Sequence, residues 1–187
     1  MRHLYLCSAL LACAAGCSDD PVSVSDVVDL KLALASGDVD NGVLFDEKNV
    51  NTESGNPYGV FVSMAREEIG GEPSRITVDG TTVTVDATST NVTMLGGVFL
   101  GATKVEFIMN GSTTKYAVAT RDVVAADVAG PVEFGVDFDS DKIPAEDFSD
   151  LASGSFKVAI SGPAAATFEA ANADADLTVS LTFSAFE

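Results

Sequence analysis

Histidine, cysteine and tryptophan are nearly absent from this chain of 187 residues. The single histidine is His3, the cysteines are Cys7, Cys13 and Cys17, and there is no tryptophan. A domain built from the residues after Cys17 therefore has no disulfide bond. Ser-His-Asp triads, Cys-His pairs and the usual zinc sites need imidazole or thiolate, so only carboxylates, lysine, tyrosine and hydroxyls remain for catalysis.

Basic residues are also scarce. Beyond residue 16 the chain has nine lysines and arginines and 28 aspartates and glutamates, which gives a net charge of −19. Such a surface is repelled by nucleic acid, which is therefore excluded as a partner, and it does not adhere to an anionic membrane. The acidity favours solubility, and it also supplies the oxygen ligands that Ca²⁺ prefers.

The first apolar run is too short to cross a bilayer. Residues 4–15 are apolar except for Ser8, they follow Arg2, and they end at small residues. A spanning helix needs roughly 20 apolar residues. A basic start, a short apolar centre and small residues at the end are typical of a secretory signal. We interpret residues 1–16 as a signal peptide.

The end of this segment, Ala14-Ala15-Gly16-Cys17, resembles the lipobox of bacterial lipoproteins, although the best match has leucine where this chain has Ala14. The resemblance implies that the signal is cut after Gly16, and that Cys17 receives a diacylglyceryl group on sulfur and a further acyl group such as palmitate on its new amine. Several acyl chains anchor a protein stably. The alternative is an ordinary secretory signal that is cut near the same point.

The resemblance also implies a location in the bacterial cell envelope. Ser18 follows the cysteine, where aspartate can signal retention in the inner membrane, so the outer membrane is favoured. We interpret residues 17–26 as the lipidated cysteine with a short tether, and residues 27–187 as one domain. The length fits a single hydrophobic core.

Alternation of apolar and polar residues dominates the domain and predicts strands. The alternating runs begin near Val28, Val60, Ile76, Val83, Val105, Tyr116, Val132, Phe156 and Leu177. About nine strands with one or two short helices predict an all-β fold, an antiparallel β-sandwich. The immunoglobulin-like topology is the commonest such plan, and a small barrel is the alternative.

Two turn signals predict hairpins. Asp79-Gly80 favours a type I′ turn that places Ile76, Val78, Val83 and Val85 on one face, and Asn110-Gly111 favours a second turn. The second pairs Phe107 with Thr114 and Val105 with Tyr116. Pro144 begins a short helix that reaches Leu151, while residues 162–175 fit either a short helix or a long loop.

The strongest acidic cluster is Asp137-Phe138-Asp139-Ser140-Asp141. On a strand that leaves the sheet, Asp137, Asp139 and Asp141 point to one side, and three carboxylates are suitable ligands for Ca²⁺. The spacing resembles the first half of a helix-loop-helix calcium loop. Lys142 replaces the turn glycine of that loop and Phe148 replaces its last glutamate, and the alternative is a solvated strand face that discourages edge pairing.

A second acidic loop spans residues 38–42, with Asp46 and Glu47 beyond it. Its Asn41-Gly42 pair predicts a turn, and a calcium ion is shared between the two loops only if both lie at one end of the domain. Glu67, Glu68, Asp174 and Asp176 are expected to be surface acids.

These observations lead to three hypotheses about function. The first is a membrane-anchored envelope lipoprotein that acts as a non-enzymatic binding or adhesion-type module for protein or glycan, with calcium as the one cofactor under consideration. The second is a structural or assembly accessory of an envelope complex. The third is a hydrolase that uses carboxylates alone and needs a cleft with a carboxyl group of raised pKa.

Overall fold

The computed structural model describes residues 22–52 and 55–187, so Cys17 and the signal peptide predicted for residues 1–16 lie outside the described residues. Within those ranges the chain forms eight strands and four α-helices. The strands are β1 Ser23–Ala35, β2 Val43–Val50, β3 Arg75–Val85, β4 Gly101–Met109, β5 Lys115–Val123, β6 Val132–Val136, β7 Phe156–Pro163 and β8 Asp174–Phe186. The helices are α1 Pro57–Ile69, α2 Leu95–Val98, α3 Ala145–Ser153 and α4 Ala166–Ala170.

All eight strands pair antiparallel in one continuous sheet, in the order β1-β8-β3-β6-β5-β4-β7-β2. The all-β, antiparallel prediction is confirmed, although the described residues contain one strand fewer and more helices than expected. The strand order differs from the immunoglobulin-like plan, in which the first and second strands are neighbours, because β1 pairs with β8.

The sheet curls round a single core. Phe107 of β4 and Phe183 of β8 stack with ring centroids 5.9 Å apart, so the two halves of the sheet face each other as they do in a sandwich. The edge strands β1 and β2 also meet, because the backbone N–H of Ala33 donates to the Asp46 carboxylate at 2.8 Å. The result combines the facing layers of a sandwich with the near-closure of a small barrel, and it protects the sheet edges.

Period-two alternation decides which side chains enter the core. In β1, Val28, Leu30 and Leu32 are at most 6% exposed, whereas Asp29 and Lys31 between them are exposed. The same pattern holds in β8, where the buried set is Ala175, Leu177, Val179, Leu181, Phe183 and Ala185. The sequence prediction of these strands is therefore confirmed.

The hairpin predicted at Asp79-Gly80 is wrong, because β3 continues through both residues. The register against β8 shifts between Val78 and Gly80, which marks a β-bulge. The Asp79 carboxylate accepts hydrogen bonds from the hydroxyls of Thr77, at 2.8 Å, and Ser184. A bulge adds one residue to the strand, so the inward-facing positions change from even-numbered to odd-numbered residues, as they would across a two-residue turn. The predicted shared face of Ile76, Val78, Val83 and Val85 is therefore confirmed, since all four are buried.

The second hairpin, β4–β5, is confirmed, but its register differs from the prediction. Phe107 pairs with Tyr116, not Thr114, and Val105 pairs with Ala119. The loop occupies residues 110–114 rather than two residues, and a bulge between Val105 and Glu106 adds a further shift.

The strand predicted at Val60 is wrong, because that segment belongs to α1. Asn56 caps the helix by accepting from Tyr58 N at 3.0 Å, Pro57 occupies the first turn, and Gly70 ends the helix at φ 78°. The buried side chains Tyr58, Phe61, Val62 and Ala65 have helical spacing. Helix α1 therefore adds two aromatic rings to the core, including the Tyr58 ring, which contacts that of Phe183 at 5.0 Å.

Two further boundaries differ from the sequence prediction. Strand β1 begins at Ser23, so residues 23–26 pair with β8 and do not belong to the tether. Residues 162–175 contain the end of β7, the short α4 and the start of β8. The helix predicted after Pro144 is confirmed as α3. No helix within the described ranges is both long and apolar enough to cross a membrane.

Candidate interaction surface

The predicted calcium ligands lie where the chain leaves β6. Asp139 starts a 3₁₀ turn over residues 140–142, so the chain bends at this point and does not continue as a strand. The Asp139 carboxylate accepts from Nε of Arg75 at 3.0 Å and from the backbone N–H of Asp141 at 3.1 Å. The local backbone therefore does not place Asp137, Asp139 and Asp141 on one side of an extended strand.

Cationic side chains contact each of these three carboxylates. Nε of Arg75 lies 3.4 Å from Oδ2 of Asp141, and Nζ of Lys142 donates to Asp137 at 2.8 Å. The hydrogen bonds from Arg75 lower the pKa of Asp139 against the opposing effect of burial. In the part of the chain that the structure describes, no group of three or more Asp, Glu, His or Cys residues is placed to hold a metal ion. Calcium binding here stays a prediction, and it requires displacement of Arg75 and Lys142.

The second acidic loop lies at the other end of the molecule. Asn41 and Gly42 adopt φ values of 50° and 78°, so the predicted turn is confirmed. Ser36 N donates to Ala173 O beside the start of β8, whereas Arg75 pairs with the end of β8. The thirteen residues of β8 span roughly 40 Å. The two loops are therefore too far apart to share an ion.

Other carboxylates also act as ion-pair partners. The Lys157 ammonium pairs with Glu47, and Nζ of Lys31 lies 2.9 Å from the Asp86 carboxylate. Burial raises the pKa of Asp86, but hydrogen bonds from Lys31 and Thr178 outweigh it and leave the pKa below its usual range. Among the described residues, every carboxyl group with a clearly shifted pKa is shifted downward. Lowered values are typical of carboxylates that stay ionised and stabilise the fold.

One end of the domain carries most of its exposed large apolar side chains. This end is opposite to Ser23, where β1 begins beside Phe186. We call the group the distal rim. Its members are Val43, Met94, Leu100, Val124 and Val128, which are 43–58% exposed. Three separate connections supply them: the start of β2, the β3–β4 segment around α2, and the β5–β6 loop.

Helix α2 holds two of these connections together. Leu95 N donates to Val128 O at 3.0 Å and Gly96 N donates to Asp127 O at 3.1 Å. A Cβ atom on Gly96 would lie 2.3 Å from Val124 O, so only glycine permits this approach. Met94, which precedes α2, is thereby held beside the β5–β6 loop.

The other side of the distal rim is joined through the end of β7. Leu100 N donates to Pro163 O at 2.9 Å, and Val43 pairs with Pro163 across the β2–β7 ladder. Ala165 N donates to Val98 O, also at 2.9 Å. Backbone hydrogen bonds therefore fix the positions of Val43 and Leu100 relative to α2.

Exposed acidic side chains lie at the same end of the domain as this apolar surface. The exposed members near the distal ends of the strands are Asp38, Asp40, Asp122, Glu169 and Asp174. Arg121 also lies at this end, but its guanidinium is bound to Asp127. This end of the domain therefore carries exposed apolar side chains together with exposed carboxylates.

Sequence reasoning did not identify the distal rim. Its five residues are scattered between positions 43 and 128, and each lies in a connection or at the first residue of a strand. The one local signal is the apolar run Met94-Leu95-Gly96-Gly97-Val98-Phe99-Leu100, which is too rich in glycine to predict a strand and too short to show the periodicity of a helix. A search of protein families, of curated proteins and of solved structures found no match to this chain.

Proposed function

We propose that this protein is a lipid-anchored, non-enzymatic binding module of the bacterial envelope, held in the outer membrane through Cys17, and that the distal rim binds a protein partner. The single observation that carries the proposal is the collection of exposed apolar residues at the end opposite to the start of β1. Contiguous exposed apolar patches mark interaction sites on soluble domains.

The position of the predicted anchor supports an orientation in which the distal rim points away from the membrane. Only five residues separate Cys17 from Ser23, so the tether reaches at most about 20 Å. The distal rim lies roughly a full strand length, about 40 Å, beyond that point. A partner in the aqueous compartment therefore has access to the rim while the other end of the domain faces the membrane.

The charge of the domain defines the partner. Exposed apolar residues with exposed carboxylates at the same end of the domain fit a protein surface that combines apolar residues with lysines or arginines. Complementary charge of this kind accelerates association and makes it sensitive to salt. Anionic lipid and nucleic acid do not fit these carboxylates.

Site-specific photo-crosslinking tests the proposal. A photoreactive amino acid placed at Met94 or Val128 in the full-length protein should give a discrete crosslinked product after irradiation of whole cells. Val60 on the outer side of α1 is the matched control, because it is an exposed valine (54%) like Val128 (58%).

The outcomes separate the hypotheses. A product from positions 94 and 128 that is absent at position 60 supports docking at the distal rim. Products of equal yield at all three positions, or at position 60 alone, would contradict it. Co-purification of the crosslinked partner in a fixed ratio without irradiation would identify the protein as an accessory subunit of an envelope complex.

A further inference from the structure

The methionines of the domain differ sharply in their exposure to solvent. Met94 is 43% exposed and Met109 is 1% exposed, while Met64 is half-buried. The fourth methionine, Met1, belongs to the predicted signal peptide. Because the susceptibility of sulfur to oxidation follows its exposure, an oxidant in solution reaches the thioether of Met94 before that of Met109.

The composition of the chain leaves few competitors for an oxidant. There is no tryptophan, and the one histidine and the three cysteines all lie before residue 18. The resemblance to a lipobox implies that Cys17 carries lipid on its sulfur. The domain after residue 17 therefore has no thiol to consume peroxide, and its thioethers are its most readily oxidised groups.

Met94 also lies among the apolar side chains of the distal rim. The backbone N–H of the next residue, Leu95, donates to Val128 O at 3.0 Å, which holds Met94 beside the β5–β6 loop. The other four members of the distal rim are three valines and a leucine, whose hydrocarbon side chains do not react with dilute peroxide. Within the distal rim, an oxidant therefore changes the polarity of Met94 alone.

We propose that Met94 is a reversible oxidation site, and that its oxidation weakens the docking of a partner at the distal rim. The O–O bond of hydrogen peroxide breaks, one oxygen forms a bond to the Met94 sulfur, and the other leaves as water. Sulfur is thereby oxidised to the sulfoxide and peroxide is reduced. A thiol-dependent methionine sulfoxide reductase reverses the step.

Two physical effects support this role of Met94. Hydrogen peroxide is uncharged, so the exposed carboxylates at this end of the domain do not repel it. The sulfoxide oxygen is a strong hydrogen-bond acceptor, and it loses its bonds to water when an apolar partner surface covers it. The inference rests on the proposed function, because it concerns the partner that docks at the distal rim, and it adds a means of releasing that partner.

Peptide mass spectrometry tests the chemistry without any partner. Full-length protein, purified in detergent, is treated with dilute hydrogen peroxide while folded and, separately, in denaturant. In the folded protein Met94 should gain one oxygen before Met64 and well before Met109, whereas in denaturant all three should react at similar rates. Equal rates in the folded protein, or faster reaction of Met64 than of Met94, would overturn the assignment.

Photo-crosslinking from Val128 tests the effect on docking. In whole cells treated with peroxide, the yield of the crosslinked product should fall about fivefold or more, the effect of one unsatisfied polar group in an interface. Met94→Leu keeps an apolar side chain of similar size and should make the yield insensitive to peroxide. Met64→Leu is the matched control and should leave the sensitivity unchanged.

The outcomes separate this inference from the proposed function. A yield that persists after Met94 is oxidised, or that falls equally in Met94→Leu, overturns the oxidation site and leaves docking at the distal rim intact. Absence of any crosslinked product from Val128 before peroxide is added overturns the docking itself and the regulation with it.

Discussion

Arg121 and Asp127 form a two-point ion pair, with Nε and Nη2 of the guanidinium each donating to a different carboxylate oxygen, Nε at 3.0 Å. Asp127 is 9% exposed and also accepts from Val124 N at 3.0 Å. Its backbone carbonyl accepts from Gly96 N. A single residue therefore anchors both the β5–β6 loop and helix α2, the two elements that carry most of the distal rim.

Replacing Asp127 by Asn should lower the free energy of unfolding by about 2 kcal/mol at pH 7, because hydrogen bonds to a charged group are lost. Arg121 holds the pKa of Asp127 below its usual range. The pair therefore stabilises the fold above pH of about 4, and this contribution disappears as the pH falls through the lowered folded-state pKa.

Denaturant titrations at pH 7 and pH 3 measure this effect. The difference in stability between wild type and Asp127→Asn should be smaller at pH 3 than at pH 7. Asp137→Asn is the control, since its side chain is 88% exposed and its loss should stay within about 0.5 kcal/mol. Equal losses of unfolding free energy in the two variants would show that the Arg121–Asp127 ion pair contributes no more to stability than an exposed carboxylate does.

Gly96→Ala should destabilise the protein by about 1–3 kcal/mol, because the added methyl group overlaps the backbone of the β5–β6 loop. Thermal unfolding measures the change. Photo-crosslinking at Val128 should fall in parallel, because the loop must move away from α2. Gly37→Ala adds the same methyl group in open space, and a similar loss there would remove the steric explanation.

The calcium prediction can be tested by removing the competing cation. Arg75→Met frees Asp139 and Asp141, so excess Ca²⁺ should raise the melting temperature of this variant more than that of wild type. Ligand at 100 times its Kd stabilises a protein by roughly 2.7 kcal/mol. A double variant that also carries Asp139→Asn is the control and should lose the shift. If Arg75→Met and wild type respond identically to Ca²⁺ and to chelator, these carboxylates are not calcium ligands.

Replacing Cys17 by Ser should abolish labelling with a fatty-acid probe and leave the precursor uncut, because lipid attachment to sulfur precedes cleavage in proteins with a lipobox. Gel mobility and metabolic labelling measure both effects. Cys13→Ser lies in the same segment but outside the resemblance, so that variant should be labelled and cut normally. Labelling that persists in Cys17→Ser would refute the anchor, and cleavage without labelling in wild type would indicate an ordinary secretory signal.

The strands were predictable where burial on one face is the only constraint. Only one orientation of the strand buries Val28, Leu30, Leu32 and Leu34, since a shift of one residue would place these apolar side chains in water. Helix α1 was missed because Val60-Phe61-Val62 has strand-forming residues. Its true signals are the capping residue Asn56, Pro57 and the i, i+3, i+4 spacing of Tyr58, Phe61 and Val62.

The bulge at Asp79 and the distal rim depend on partners that are distant in sequence. Asp79-Gly80 has the chemistry of a turn, and only pairing with β8 on one side and β6 on the other makes the chain continue. Similarly, no local pattern relates Val43 to Leu100, which meet only through Pro163 of β7. Local sequence therefore shows which residue types are present, but the strand order decides which of them lie together.

The pairing of β1 with β8 along all thirteen residues also determines the order in which the strands can pair during folding. Among the described strands β1 pairs only with β8, so it cannot join the sheet until β8 has been synthesised, and β3 pairs with the same strand over ten of its residues. Loop closure over such a distance is slow. When the chain emerges from one end through a narrow passage, the sheet therefore cannot close until β8 has emerged.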